Sequence, residues 1–172
     1  MRRTEWVARG VVVCALVLVG NVALSQAPDK EQAALANALT GKHVALATGL
    51  AAASAKGKPI SAKYEVEDGK LQLSVYTEKG GQFTEVIVNH RSGKVAKSEK
   101  ITGGDDLKAA QAQSEAIAKA TITAEAALRK ALAANKGFSA VGLTAVLKDG
   151  KPTAEITLHK GSEFKTVTEP LA

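Results

Sequence analysis

The stretch DGKLQLSVYTEKGGQF, Asp68–Phe83, decides how this chain reads. Leu71, Leu73 and Val75 alternate with Gln72, Ser74 and Tyr76, the period-two pattern of a strand with one buried and one wet face. Asp68-Gly69 before it and Gly80-Gly81 after it reverse the chain, because Gly accepts the positive φ that a two-residue hairpin turn demands. The layout recurs as DGKPTAEITLHKGSEF, Asp149–Phe164, with Asp-Gly-Lys, Lys-Gly and the closing Phe at matching places. What the two stretches share is turn formers and one apolar ring, read as filling space between sheet and helix. No reactive group is common to both, since His159 stands where the first stretch has Glu78. The repetition holds a shape rather than performing chemistry.

Working outward from Asp68, ISAKYEVE (60–67) sets Ile60, Ala62, Tyr64 and Val66 against Ser61, Lys63, Glu65 and Glu67. QFTEVIVN gives a third strand, HRSGK a further turn and VAKSEKI a short fourth strand. Upstream, Leu35, Leu39, His43, Leu46 and Leu50 recur at helical spacing. Asp29 is placed to cap that helix, Gly57 and Pro59 to end it, and Thr40-Gly41 to split it in two. The second half repeats the plan. Asp105 and Asp106 open an Ala-rich helix, whose start they suit by capping. Thr123 is an internal N-cap with Glu125 in the following turn, and Leu128, Leu132, Ala124 and Ala131 form the apolar face. Strands FSAVGLTAVL, KPTAEITLH and EFKTVTEPL follow, with Ala154, Ile156 and Leu158 inward.

The first 25 residues read as an address. Arg2, Arg3 and Arg9 precede an apolar run from Gly10 to Leu24, and Ala23 and Ser25 suit a signal peptidase, so cleavage is expected near Ser25. The run is short for a bilayer-spanning helix, and the membrane enters only through this segment. The leader holds the only Cys, Trp and Met, so the mature chain, periplasmic or secreted, gains neither disulfides nor thiol chemistry. Of the formal charge of +6, the leader supplies three Arg against Glu5, leaving a mild excess of scattered Lys. With aromatics limited to Tyr64, Tyr76, Phe83, Phe138 and Phe164, there is neither a basic stripe nor a stacking platform for nucleic acid.

These elements resemble the PepSY domain of bacterial secreted and envelope proteins: an Ala-rich helix, a hairpin with a Gly turn, then a strand ending in an Asp-x-x-x-Gly-Lys-Val turn. Val44–Glu99 carries the first likeness. Its closing turn reads Asn89-His90-Arg91-Ser92-Gly93-Lys94-Val95, with Asn in the place of the family's Asp and able to bond the same backbone. Ile122–Val167 carries the second, and the chain closes at Ala172 before a matching final turn. The resemblance implies an α+β fold of two tandem repeats, 26–104 and 105–172, each an Ala-rich helix on a small antiparallel sheet. It is reminiscent of the tandem-repeat inhibitors of secreted β-lactamases. It also implies an exported protein-binding module that restrains or modulates an envelope peptidase or sensor protein.

The residues themselves offer no catalytic set. His43, His90 and His159 are not spaced as metal ligands, and no G-x-S-x-G elbow accompanies the serines. His43 is expected in a helical apolar stripe, and His90 and His159 facing solvent. No cofactor, metal or catalytic residue is assigned. The expected contact surface is the wet sheet face, with Lys63, Glu65, Gln72, Ser74 and Tyr76 open to a partner, Tyr offering contact area at low entropic cost. The alternatives are a carrier of a small ligand or metal using His43 or His159, and a structural envelope component.

Overall fold

A computed structural model describes residues 30–172. Residues 1–29, which hold the expected leader and the cap expected of Asp29, lie outside the described residues. The chain runs α1 (Lys30–Ala38), α2 (Leu46–Ala53), β1 (Lys58–Glu67), β2 (Lys70–Lys79), β3 (Gln82–Val88), β4 (Val95–Ile101), α3 (Gly104–Ala118), α4 (Ala124–Ala134), β5 (Ser139–Lys148), β6 (Lys151–Lys160) and β7 (Glu163–Pro170). The fold is α+β, as expected. Among the described residues no helix is long and apolar enough to cross a membrane.

Three local signals act where the sequence places them. Asp68 and Asp149 both take positive φ, 48° and 50°, followed by Gly69 and Gly150 at 73° and 75°, which is the tight turn that Asp-Gly favours. The first helical stripe breaks around Thr40-Gly41 into α1 and α2. Thr123 caps α4 by accepting the Ala126 amide at 3.2 Å. We expect Thr123→Ala to cost about 1 kcal/mol in urea unfolding, the usual loss of one N-cap.

The expected pair of small sheets is corrected by the pairing of β1 with β5. All seven strands form one antiparallel sheet in the order β4-β3-β2-β1-β5-β6-β7. The physical reason is that β1 and β5 would each expose a row of unpaired backbone groups, and each satisfies the other. The seam is short: Ser61 faces Thr144, Ala62 faces Leu143, and Lys63 faces Gly142. Carrying the match of Asp68 with Asp149 back along both strands brings Ala62 onto Leu143, so the residues facing each other at the seam's centre are themselves counterparts. The register irregularities fall at counterpart places too, beside Ile60 in β1 and beside Val141 in β5.

One sheet face carries most of the core. Ile60, Leu73, Val75, Val86, Ala154, Ile156 and Leu158 are all at 0 % exposure. Helix α2 presses on this face closely enough that a Cβ at Gly49 would lie 2.6 Å from Leu73 Cδ2. Helix α4 packs beside α2 and against β5, β6 and β7, burying Ala127, Leu128 and Ala131. Helix α3 crosses the opposite face, resting on β5, β1, β6 and β2, with Ala110 and Ala116 fully buried. Its alanines permit that close approach. The chain then returns to the first face at Thr121 and Ile122, whose amides both donate to the Leu171 carbonyl at 2.7 and 2.8 Å.

Candidate functional site: the polar face of strands β1 and β2

Hairpin geometry assembles this face. The two-residue turn at Asp68-Gly69 sets Glu65 opposite Gln72 and Lys63 opposite Ser74, and the turn at Gly80-Gly81 sets Tyr76 opposite Glu85. Lys63, Glu65, Gln72, Ser74 and Tyr76 therefore share one surface, as the alternation predicts. Lys63 Nζ pairs with Glu65 Oε2 at 2.7 Å, and Gln72 Nε2 donates to Glu67 at 2.9 Å and Glu65 at 3.4 Å. The outer strand β4 extends the surface with Lys97 and Glu99, 2.8 Å apart. Exposed pairs of this kind add at most about 1 kcal/mol each, so they organise the surface more than they stabilise it.

The face is not open along its whole length, which corrects the expectation of a bare wet sheet. Ser61 and Ser74 are 8 % and 1 % exposed, because α3 lies against this side and neighbouring side chains close over them. Ser74 gives its hydroxyl to Glu85 at 2.6 Å, and the Tyr76 hydroxyl donates to Asp106 in the first turn of α3 at 2.9 Å. The Asp105-Asp106 pair does not cap α3 through a side chain. Gly103 occupies the cap position, while Asp106 holds Tyr76 and Asp105 pairs with Lys108 at 3.2 Å. Burial, the bond to Asp106 and the nearby Glu85 and Glu65 raise the Tyr76 hydroxyl far above its ordinary value.

Glu85 and Asp106 are the members that the sequence reading missed. Counting back from Gly80-Gly81 places Glu85 beside Tyr76, so the signal for Glu85 was available; Asp106 arrives by a long-range contact and had none. Burial raises the Glu85 carboxyl, a rise that Ser74 opposes and Glu65 reinforces. The folded chain thus holds a proton here more tightly than the unfolded one. Stability then falls as pH rises from the ordinary carboxylate pKa through the raised folded value. We expect Glu85→Gln, whose amide oxygen still accepts from Ser74, to remove that fall and raise the urea midpoint at neutral pH. Midpoints measured from about pH 4 to about pH 8 check this, and a parent-like slope would contradict it.

The histidines lie apart. His43 sits in the loop between α1 and α2 rather than in a helix, its Nδ1 2.8 Å from the Gly41 carbonyl and its ring edge-on to Tyr64. Tyr64 donates to Val44 at 2.6 Å, and burial pushes its hydroxyl up to about 12. His90 and His159, expected to face solvent, are each half-buried with one ring nitrogen enclosed and without a hydrogen bond. Burial lowers the His90 pKa, and Arg91 and His43 lower it further. His159 rests on Phe164, ring centroids 4.8 Å apart. In the β3–β4 turn, Asn89 Oδ1 accepts the amides of Arg91 and Ser92 at 3.0 and 2.9 Å. Among the described residues no cluster of three or more His, Cys, Asp or Glu is arranged to hold a metal ion.

Two shallow clefts lie at the margins. One of about 400 Å³ is a polar notch at the end of the β1–β2 hairpin, lined by Glu67, Lys70, Gln72 and His90. The other, of about 290 Å³, is largely apolar and opens between the start of α2 and α4, with Leu46, Leu128, Leu132 and Phe138 on its walls.

Compared with models of protein families, with curated proteins and with solved structures, the chain finds no match.

Proposed function

We propose that this chain is an exported, non-catalytic protein-binding module of two PepSY-like units, and that its partner is a peptidase or sensor protein of the cell envelope. The duplicated reading is supported by the counterpart residues Ala62 and Leu143 meeting at the seam, by the paired register irregularities and by the two Asp-Gly turns. The Asn89 turn bonds its backbone as the family's Asp would. The observation that carries the binding role is the polar face of β1 and β2. Lys63, Glu65, Gln72 and Tyr76 are held there by named partners and remain partly accessible, a preorganised surface that loses little freedom on contact. Ser74 contributes from beneath by orienting Glu85.

The test is affinity capture from an envelope extract with the intact chain as bait, then assay of any co-isolated peptidase with and without added protein. Charge reversal at Lys63, whose side chain is 57 % exposed, is expected to weaken the captured partner's binding roughly tenfold while circular dichroism shows the chain still folded. A Lys63→Glu chain that binds as the parent does, or a peptidase indifferent to the protein, would count against this reading.

A further inference from the structure

Strand β7 is an outer strand of the sheet, and its outward side has a definite chemistry. Lys160 and Glu163 close a two-residue loop, so this pair exchanges both backbone hydrogen bonds. Bonded pairs then recur at Leu158–Lys165, Ile156–Val167 and Ala154–Glu169, which turns the N–H and C=O groups of Phe164, Thr166 and Thr168 outward. Pro170 belongs to the same outward set, where its missing N–H takes nothing from the ladder. Among the described residues no strand pairs with this edge and no hydrogen bond reaches those three amides. Thr166 and Thr168 are exposed.

The counterpart of β7 in the first half is β3, since Phe83 and Phe164 hold matching places. The outer side of β3 is covered by β4, which sets Ile101 opposite Phe83, Lys100 opposite Thr84 and Ser98 opposite Val86. Strand β4 is thus a template for what fits β7: an antiparallel strand with an apolar residue opposite Phe164. Charge fixes the difference. Where β3 offers Thr84, β7 offers Lys165, a long cation whose Nζ rests 3.9 Å from the centre of the Phe138 ring and swings outward to meet an acid across the edge. The strand that fits β7 therefore needs an acid where β4 has Lys100.

We propose that the outer edge of β7 receives an extended segment of the partner protein as an added antiparallel strand, apolar opposite Phe164 and acidic opposite Lys165. Main-chain bonds give such a contact its strength and side-chain pairing its selectivity. The proposal rests on the protein-binding reading above and names where on the chain that partner is gripped.

Two synthetic peptides test it against the isotope-labelled full chain: one with the sequence Lys94–Thr102, the other carrying Lys100→Glu. Amide exchange followed by NMR should show Phe164, Thr166 and Thr168 protected by the Lys100→Glu peptide, with affinity about fivefold above the unaltered one. Thr166→Pro in the chain should abolish the protection, and Lys165→Glu should reverse the preference between the peptides. Equal affinities, protection at β4 instead, or no protection at about millimolar peptide would overturn the proposal. So would β7 amides already protected in free chain of doubled mass, which would assign the edge to a second copy. Because the readout is confined to β7 amides, its failure is distinct from a failure of the peptidase assay.

Discussion

Replacing Leu73 by Ala is expected to lower the unfolding free energy by about 2–5 kcal/mol, the range for removing a fully buried Leu from a core that cannot collapse around the gap. Gly49→Ala alone is expected to destabilise as well. Ala is the better helix residue by about 1 kcal/mol, but its Cβ would stand 2.6 Å from Leu73 Cδ2 and 3.1 Å from Cγ. Leu73 is fully enclosed and cannot swing aside, so overpacking of about 1–3 kcal/mol outweighs the propensity gain. With Leu73 already cut to Ala, the obstruction is gone and the new methyl occupies part of the vacated space. Gly49→Ala should then stabilise, reversing its sign. A double-mutant cycle by urea unfolding measures this, with an expected coupling of about 1–3 kcal/mol; additive effects would mean that α2 and β2 are not in the close contact described.

A chain ending after Gly103 is expected to lose its cooperative thermal transition. It keeps β1 to β4 but loses β5 and the strap α3 together. The edge of β1 opens at Ser61, Ala62 and Lys63, and the Tyr76 hydroxyl loses Asp106. The remaining part is at a size where one hydrophobic core is marginal. Calorimetry and near-ultraviolet circular dichroism check the outcome. A fragment melting as sharply and as high as the whole chain would show that the seam adds nothing.

The strands and turns were legible because their signals are local. Alternation at Leu71–Val75 and at Ala154–Leu158, with Asp-Gly and Gly-Gly reversals, specifies hairpins and their register without reference to anything distant. Thr123 and Thr40-Gly41 are legible for the same reason. Two features were not. The seam joins residues far apart in the chain, and a run such as AVGLTAV states that it is a strand without stating its second neighbour. Helix α3 was read correctly as a helix, yet its place on the polar face escaped. Its apolar stripe is mostly Ala, which marks no preferred surface, and serines at 61 and 74 read as wet until a neighbour covers them. Within the candidate site, the five residues on one face follow from alternation. The enclosed Ser74 and the Tyr76–Asp106 bond follow only from tertiary contact.

The antiparallel joining of β1 to β5 has a consequence for how the molecule is born. Synthesis completes Lys58–Glu67 long before Ser139–Lys148 exists, so a nascent chain carries an unsatisfied flank through nearly half of its elongation. During that interval the flank is free to pair with any passing strand, including the same segment of a neighbouring chain on the polysome. Order of emergence, rather than final stability, then sets the window in which this protein is most prone to go astray.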